Sequence, residues 1–197
     1  TGKSTLINHI SHFFNNNSKL YLAHTNSAVN NLKRKVVASM DCEFMTITKF
    51  NNKYEKNIKR DYDILIVDEC STVSNKNMKE LLELADFKLL VLVGDTYQIE
   101  AIEFGNWFDA VRSFLPKTAV YELTTPYRSE SKQLLKLWNN VRKMEDDVYV
   151  RLQAGEFSTS LDASIFNKAE ENEIILCLNY GGLYGINNIN HFMQQNN

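Results

Sequence analysis

The sequence predicts an α/β fold built on a parallel sheet flanked by helices, and three observations carry that prediction. Short apolar runs alternate with helix-period segments, as in successive strand–helix–strand units. Two runs, Asp63–Val67 (DILIV) and Lys88–Val93 (KLLVLV), are almost continuously apolar, the pattern of strands covered on both faces. Acidic and turn-forming residues follow these runs, at the carboxyl ends of strands, where open α/β sheets bind ligands.

Taken in order, strands are expected at Lys19–His24, Phe44–Ile47, Asp63–Val67, Lys88–Val93, Ala119–Leu123 and Glu173–Leu178. Helices are expected at Lys3–Phe14, Asn26–Ser39, Asn75–Ala85, Gly105–Leu115 and Ser131–Met144. Met78, Leu81, Leu82 and Ala85 form one stripe of the third helix; Leu134, Leu137, Trp138 and Val141 form one on the last. The connector Asn51–Asp61 (NNKYEKNIKRD) is basic, lacks an apolar period and reads as a loop or short hairpin. Pro126 marks a boundary, giving a first domain over 1–125 and a linker helix with the start of a second domain over 126–197.

The length of 197 residues suits one α/β domain plus part of another. A hydrophobic share of 44% with 23% charged residues is ordinary for a globular protein. With a net charge of −2, any nucleic-acid contact must come from a local patch. Cys42, Cys70 and Cys177 are scattered, without a C-x-x-C or a neighbouring His. They read as reduced apolar residues of a cytoplasmic protein rather than disulfides or zinc ligands. No apolar run approaches the roughly 18 residues that a membrane span needs.

The chemistry begins at Thr1–Thr5 (TGKST), the second half of the phosphate loop G-x-x-x-x-G-K-[ST]. Its leading glycine would fall upstream of residue 1, so the chain is expected to be a fragment. Such a loop turns backbone N–H groups of Thr1, Gly2, Lys3, Ser4 and Thr5 toward phosphates at the positive end of a helix. Lys3 would reach the β- and γ-phosphates and the Ser4 hydroxyl would bind Mg²⁺. Alone, the segment reads equally well as a solvated helix start. Ile64–Glu69 (ILIVDE) then places two acids at the edge of a buried strand. Asp68 would hold Mg²⁺ through its water shell, and Glu69 would polarise an attacking water. Val91–Gln98 (VLVGDTYQ) brings Asp95 and Gln98 to the same edge, where the Gln98 amide can contact both the γ-phosphate and that water.

In this order the segments resemble a superfamily 1 helicase. TGKST is similar to motif I, AHTNSAVNNL (Ala23–Leu32) to motif Ia, TITKF (Thr46–Phe50) to motif Ib, VDEC (Val67–Cys70) to motif II, GDTYQ (Gly94–Gln98) to motif III, and LTTPYRS (Leu123–Ser129) to motif IV. The resemblance covers most of residues 1–129. It implies a RecA-like P-loop NTPase domain with the start of a second one, ATP and Mg²⁺ as cofactors, and movement on single-stranded DNA, with RNA as an option. It further implies that Tyr127 stacks on adenine and that Arg128 is an arginine finger, typically worth a factor of roughly 10³–10⁵ in rate.

In that family motifs Ia and Ib and the segment after motif III contact nucleic acid, which points to Thr25, Asn26, Thr48, Lys49, Phe50, Phe104 and Trp107. Phe104, Trp107 and Phe108 read equally as packing for their helix, and Lys53, Lys56, Lys59 and Arg60 as either a basic rim or a solvated run. Only 18 positions separate Phe50 from Asp68, too few for the large insertion of the UvrD-like branch. By resemblance this favours a RecD-like arrangement and 5′→3′ movement. Two rival readings are a nucleic-acid-stimulated ATPase that unwinds nothing and a P-loop kinase or small-molecule ATPase. The last leaves GDTYQ and PYRS unexplained.

Overall fold

The computed structural model describes residues 2–37, 41–54, 58–98, 101–127, 129–154, 157 and 175–195. Among them lies a four-stranded, wholly parallel sheet in the order β2-β1-β3-β4. Its strands are β1 (Lys19–Ala23), β2 (Cys42–Thr46), β3 (Arg60–Asp68) and β4 (Ala85–Leu92). Ala23 is in register with both Thr46 and Asp68, so the carboxyl ends of β2, β1 and β3 stand level.

Side chains alternate across the pleat with period two. Leu20, Leu22, Leu65 and Val67 face a core completed by Met45, Ile47, Phe50, Met78 and Leu81, beneath α3 (Ile47–Lys53) and α4 (Asn75–Leu84). Tyr21, Ala23, Ile64 and Ile66 face the other core, with Ile7 of α1 (Lys3–Phe13) and Val29 and Leu32 of α2 (Asn26–Lys35). Both faces are thus covered, as parallel pairing requires. The fully buried Tyr21 stacks on Phe44, with centroids 4.4 Å apart, and donates its hydroxyl to Ser11 Oγ at 2.6 Å. Burial pushes that phenol up to about 12.

Three helices start on extended cap residues whose hydroxyls accept a backbone N–H three positions on: Thr25 from Ala28, Thr46 from Lys49, and Ser74 from Asn77. At the amino edge of the sheet, Asp63 accepts the N–H and hydroxyl of Ser18 at 2.9 and 3.2 Å and pairs with Lys88 at 2.7 Å. Lys88, first among these, holds the Asp63 carboxyl down to about 2.

The structure departs from the expected elements in identifiable places. The segment Asn51–Asp61 is not one loop: α3 occupies its first residues and β3 begins at Arg60. Lys88–Val93 is longer and shifted, and α4 passes into β4 with no intervening residue, Leu84 closing the helix and Ala85 opening the strand. β4 is also less covered than expected, with Leu89 exposed, because it pairs on one side only among the described residues. Ala119–Leu123 forms no strand; Lys117–Ala119 is a 3₁₀ turn, and Tyr121 and Leu123 are exposed without a ladder partner. Glu173–Leu178 forms no strand over 175–178, where Leu176 and Leu178 are exposed; residues 173 and 174 lie outside the described residues. The helix expected at Gly105–Leu115 shortens to α5 (Trp107–Arg112).

Residues Thr1–Leu135 form one compact unit and Lys136–Asn197 a second. Helix α6 (Lys132–Arg142) carries the chain from the first into the second, which holds α7 (Val148–Ala154) and α8 (Ile186–Gln195). Neither α7 nor the split at Leu135 is signalled by an apolar period. Among the described residues no helix is long and apolar enough to cross a membrane.

Candidate active site

α1 opens at Gly2, whose backbone is left-handed (φ 73) and which offers no side-chain cap. An added Cβ would meet only Leu123 Cδ1, at 4.0 Å, so it is the conformation and not crowding that calls for glycine. The first turn of a helix has N–H groups without intrahelical acceptors, and here that turn is Lys3, Ser4 and Thr5. Ser4 is half-buried and Thr5 exposed; Thr1 lies outside the described residues.

Opposite this turn β3 delivers its acids. Asp68 is 7% exposed, and its Oδ1 accepts the Glu69 N–H at 2.9 Å. Burial raises the Asp68 carboxyl above the usual range, against the pull of that N–H and of the Lys3 and Lys35 charges. Glu69 stands in the left-handed region (φ 50, ψ 39), a conformation costing an ordinary residue about 1 kcal/mol or more. It persists because the following 3₁₀ turn, Cys70–Thr72, is pinned at both ends. Thr72 donates its N–H and hydroxyl to Glu69 O at 3.0 and 2.8 Å, and Cys70 N–H donates to Val93 O at 2.8 Å. The strained residue aims its carboxylate back at the first helix: Lys3 Nζ lies 3.3 Å from Glu69 Oε2, across 66 positions of sequence.

The turn after β4 docks on the same 3₁₀ segment. Asp95 N–H donates to the buried Ser71 Oγ at 3.4 Å, Asp95 Oδ1 accepts the Tyr97 N–H at 3.1 Å, and its carbonyl accepts the Gln98 N–H at 3.1 Å. Gln98 itself is exposed. Lys3, Asp68 and Glu69 are therefore brought together, and the Asp95 backbone is tied to Ser71, two residues past Glu69. Tyr127 is exposed in a segment without regular structure, and Arg128 lies outside the described residues.

The residues expected at nucleic acid divide. Thr25 and Asn26 are exposed just past the end of β1, and Thr48 and Lys49 are exposed in α3 just past β2. Phe104 is 90% exposed. Phe50 is corrected: it is fully buried among Ile47, Met78 and Leu81, edge-on to Tyr54, so its ring has no face left for a base. Trp107 is half-buried and packs with Phe108 against the same core, the packing alternative for this residue. Sequence reading missed Ser71, whose contact spans 24 positions and leaves no local signal.

Among the described residues no three His, Cys, Asp or Glu side chains gather as a metal cage. A Mg²⁺ bound mainly through phosphates and water needs only a hydroxyl and one carboxylate, and the Ser4 hydroxyl and the buried Asp68, whose carboxyl burial pushes above its ordinary value, fit that donor set.

A family model described as an AAA domain matches residues 1–158. The chain belongs to that family. Its sheet and helices are those of a RecA-like P-loop NTPase domain, and membership makes it an ATPase-type, nucleotide-binding domain. No curated protein gives a significant match to the chain.

Proposed function

We propose that this AAA domain is the ATP-driven motor of a superfamily 1 DNA helicase or translocase that moves on single-stranded nucleic acid. The observation that supports it most is the meeting of Lys3 with Glu69 beside Asp68, three residues from two distant motifs at one sheet edge.

In this reading Lys3 leaves Glu69 for the β- and γ-phosphate oxygens, and the N–H groups of the first turn of α1 hold the remaining charge. The Ser4 hydroxyl and Asp68 would hold Mg²⁺, which would supply positive charge against that building on the phosphates. Glu69 takes a proton from a water whose oxygen attacks the γ-phosphorus as the bond to the ADP oxygen breaks. The Gln98 amide orients that water. By resemblance Tyr127 supports the adenine and Arg128 reaches the departing phosphoryl group.

Thr25, Asn26, Thr48 and Lys49 then contact the strand's phosphates and Phe104 stacks on a base, an interaction of about 1–3 kcal/mol. In the sheet order Thr25 and Asn26 follow β1, the neighbour of β3, while Thr48 and Lys49 follow β2 on the far side of β1 and Phe104 lies in the loop after β4. The test is ATP turnover with and without single-stranded DNA, with strand displacement measured alongside. Glu69→Gln is expected to keep ATP binding while turnover and displacement collapse. Retained turnover removes Glu69 from the base role. Turnover stimulated by DNA without displacement leaves an ATPase that unwinds nothing, and turnover indifferent to DNA rejects the motor reading.

A further inference from the structure

The segment that follows Glu69 holds both ends of one loop. Four residues separate Glu69 from Ser74, and within that stretch Ser71 carries the start of the 95–104 loop through the Asp95 N–H. Ser74, 2% exposed, carries its end: Ser74 Oγ donates to Glu103 Oε2 at 2.8 Å while accepting the Asn77 N–H at 3.2 Å. Asn77 Nδ2 reaches the same Glu103 oxygen at 3.4 Å, and the Asn75 N–H donates to Phe104 O at 3.3 Å. Gly105 seals the seat. Its φ of +105 is glycine's territory, and an added Cβ would overlap the Asn75 amide. On either side of the anchored Glu103, Ile102 and Phe104 are almost wholly exposed.

A carboxylate placed on the first turn of a ten-residue helix is favourable there for charge reasons alone. What a helix-start interaction does not account for is the exposure of the two apolar side chains flanking it. An anchored acid between two projecting apolar groups presents those groups to something outside the domain while tying their backbone to the segment that aims Glu69.

We propose that Glu103 is a positioning residue, a latch on Ser74 and Asn77 that couples the Phe104 nucleic-acid contact to the geometry of Glu69. The inference rests on the motor reading above. Strand binding at Phe104 pulls on Glu103, Glu103 on the cap of α4, and the cap on the 3₁₀ turn whose Thr72 grips the Glu69 carbonyl. In the opposite direction, nucleotide at Lys3 and Glu69 alters how firmly the loop is seated.

The test uses the intact protein carrying Trp138→Phe, which leaves Trp107, four residues past Glu103, as its only tryptophan in this chain. Glu103→Ala is expected to raise the single-stranded DNA concentration for half-maximal ATPase stimulation about tenfold, within the usual span of coupling between sites. Basal kcat and KM for ATP stay as in the parent. Glu103→Gln, which keeps an oxygen for Ser74 and Asn77, restores the DNA response. An unchanged DNA response in Glu103→Ala, or an equal fall in basal turnover, overturns the latch. Acrylamide quenching of Trp107 decides the coupling without DNA: a non-hydrolysable ATP analogue is expected to change it in the parent and not in Glu103→Ala. Quenching that responds alike in both overturns the proposal. A parent whose turnover ignores DNA defeats the motor reading instead, and this quenching comparison still decides the latch.

Discussion

Gly94 offers a direct test of how tightly the turn after β4 is pressed against the segment following Glu69. A Cβ at this position would stand 2.8 and 2.9 Å from two ring carbons of Phe108 and 3.0 Å from the backbone nitrogen of Ser71. Real Cβ atoms do not sit that close to carbon, so something must move. The Phe108 ring is half-buried against the core and can give a little; the Ser71 backbone is held by the Cys70–Val93 hydrogen bond and cannot. Forcing one extra methyl into such a contact costs typically about 1–3 kcal/mol. At roughly 2–4 °C per kcal/mol for a chain of this size, Gly94→Ala is expected to lower the unfolding midpoint by about 5 °C. The same strain displaces the turn at Gly94 and draws the Asp95 N–H away from Ser71 Oγ, so ATP turnover falls too. Phe108→Leu makes room on the ring side, and in a double-mutant cycle the two changes should show a favourable interaction of at least about 0.5 kcal/mol. Calorimetry of the four proteins measures this. A single Gly94→Ala variant melting within roughly 1 °C of the parent, below what even 1 kcal/mol produces, refutes the contact argument.

Two further outcomes test the frame around the site. Ser11→Ala removes the 2.6 Å acceptor of the buried Tyr21 hydroxyl and should cost about 1 kcal/mol or more by urea denaturation; adding Tyr21→Phe should recover part of it. Asp63 has a folded value near 2 against 3.8 when free, so its contribution is full above pH 4 and is lost as pH falls toward 2. Asp63→Asn should therefore flatten the acid limb of a stability-against-pH curve between those values, and an unaltered limb would deny the Ser18 and Lys88 contacts that role.

What the sequence made legible is what local physics decides. Buried runs such as DILIV announce β3, and the acids that break the run can only fall at its end. Thr25 and Ser74 are ordinary cap residues in ordinary cap positions, so the starts of α2 and α4 were readable. Tertiary decisions were not. Phe50 belongs to a seven-residue helix with too few apolar positions to display a period; its spacing of three from Ile47 was the one available clue to its burial. Val120, Tyr121 and Leu123 have the composition of a strand, yet strand formation needs a neighbouring edge, which composition cannot supply. In the site itself, Lys3 and Glu69 were expected around one triphosphate, Lys3 on its phosphates and Glu69 on the attacking water, because a shared chemistry required it. Ser71, Ser74 and Glu103 serve no such chemistry, and their contacts over 24 and 29 positions leave no trace in spacing.

The direct passage from Leu84 to Ala85 has a consequence for how this protein can vary. With no slack at that junction, one inserted residue must either turn α4 by about 100° about its axis or slide β4 one step along β3. The first swings Met78 and Leu81 off the core; the second exchanges the two faces of the strand. Length changes tolerated elsewhere in the chain are closed off here, and natural variants should differ in residue type across this junction but not in residue number.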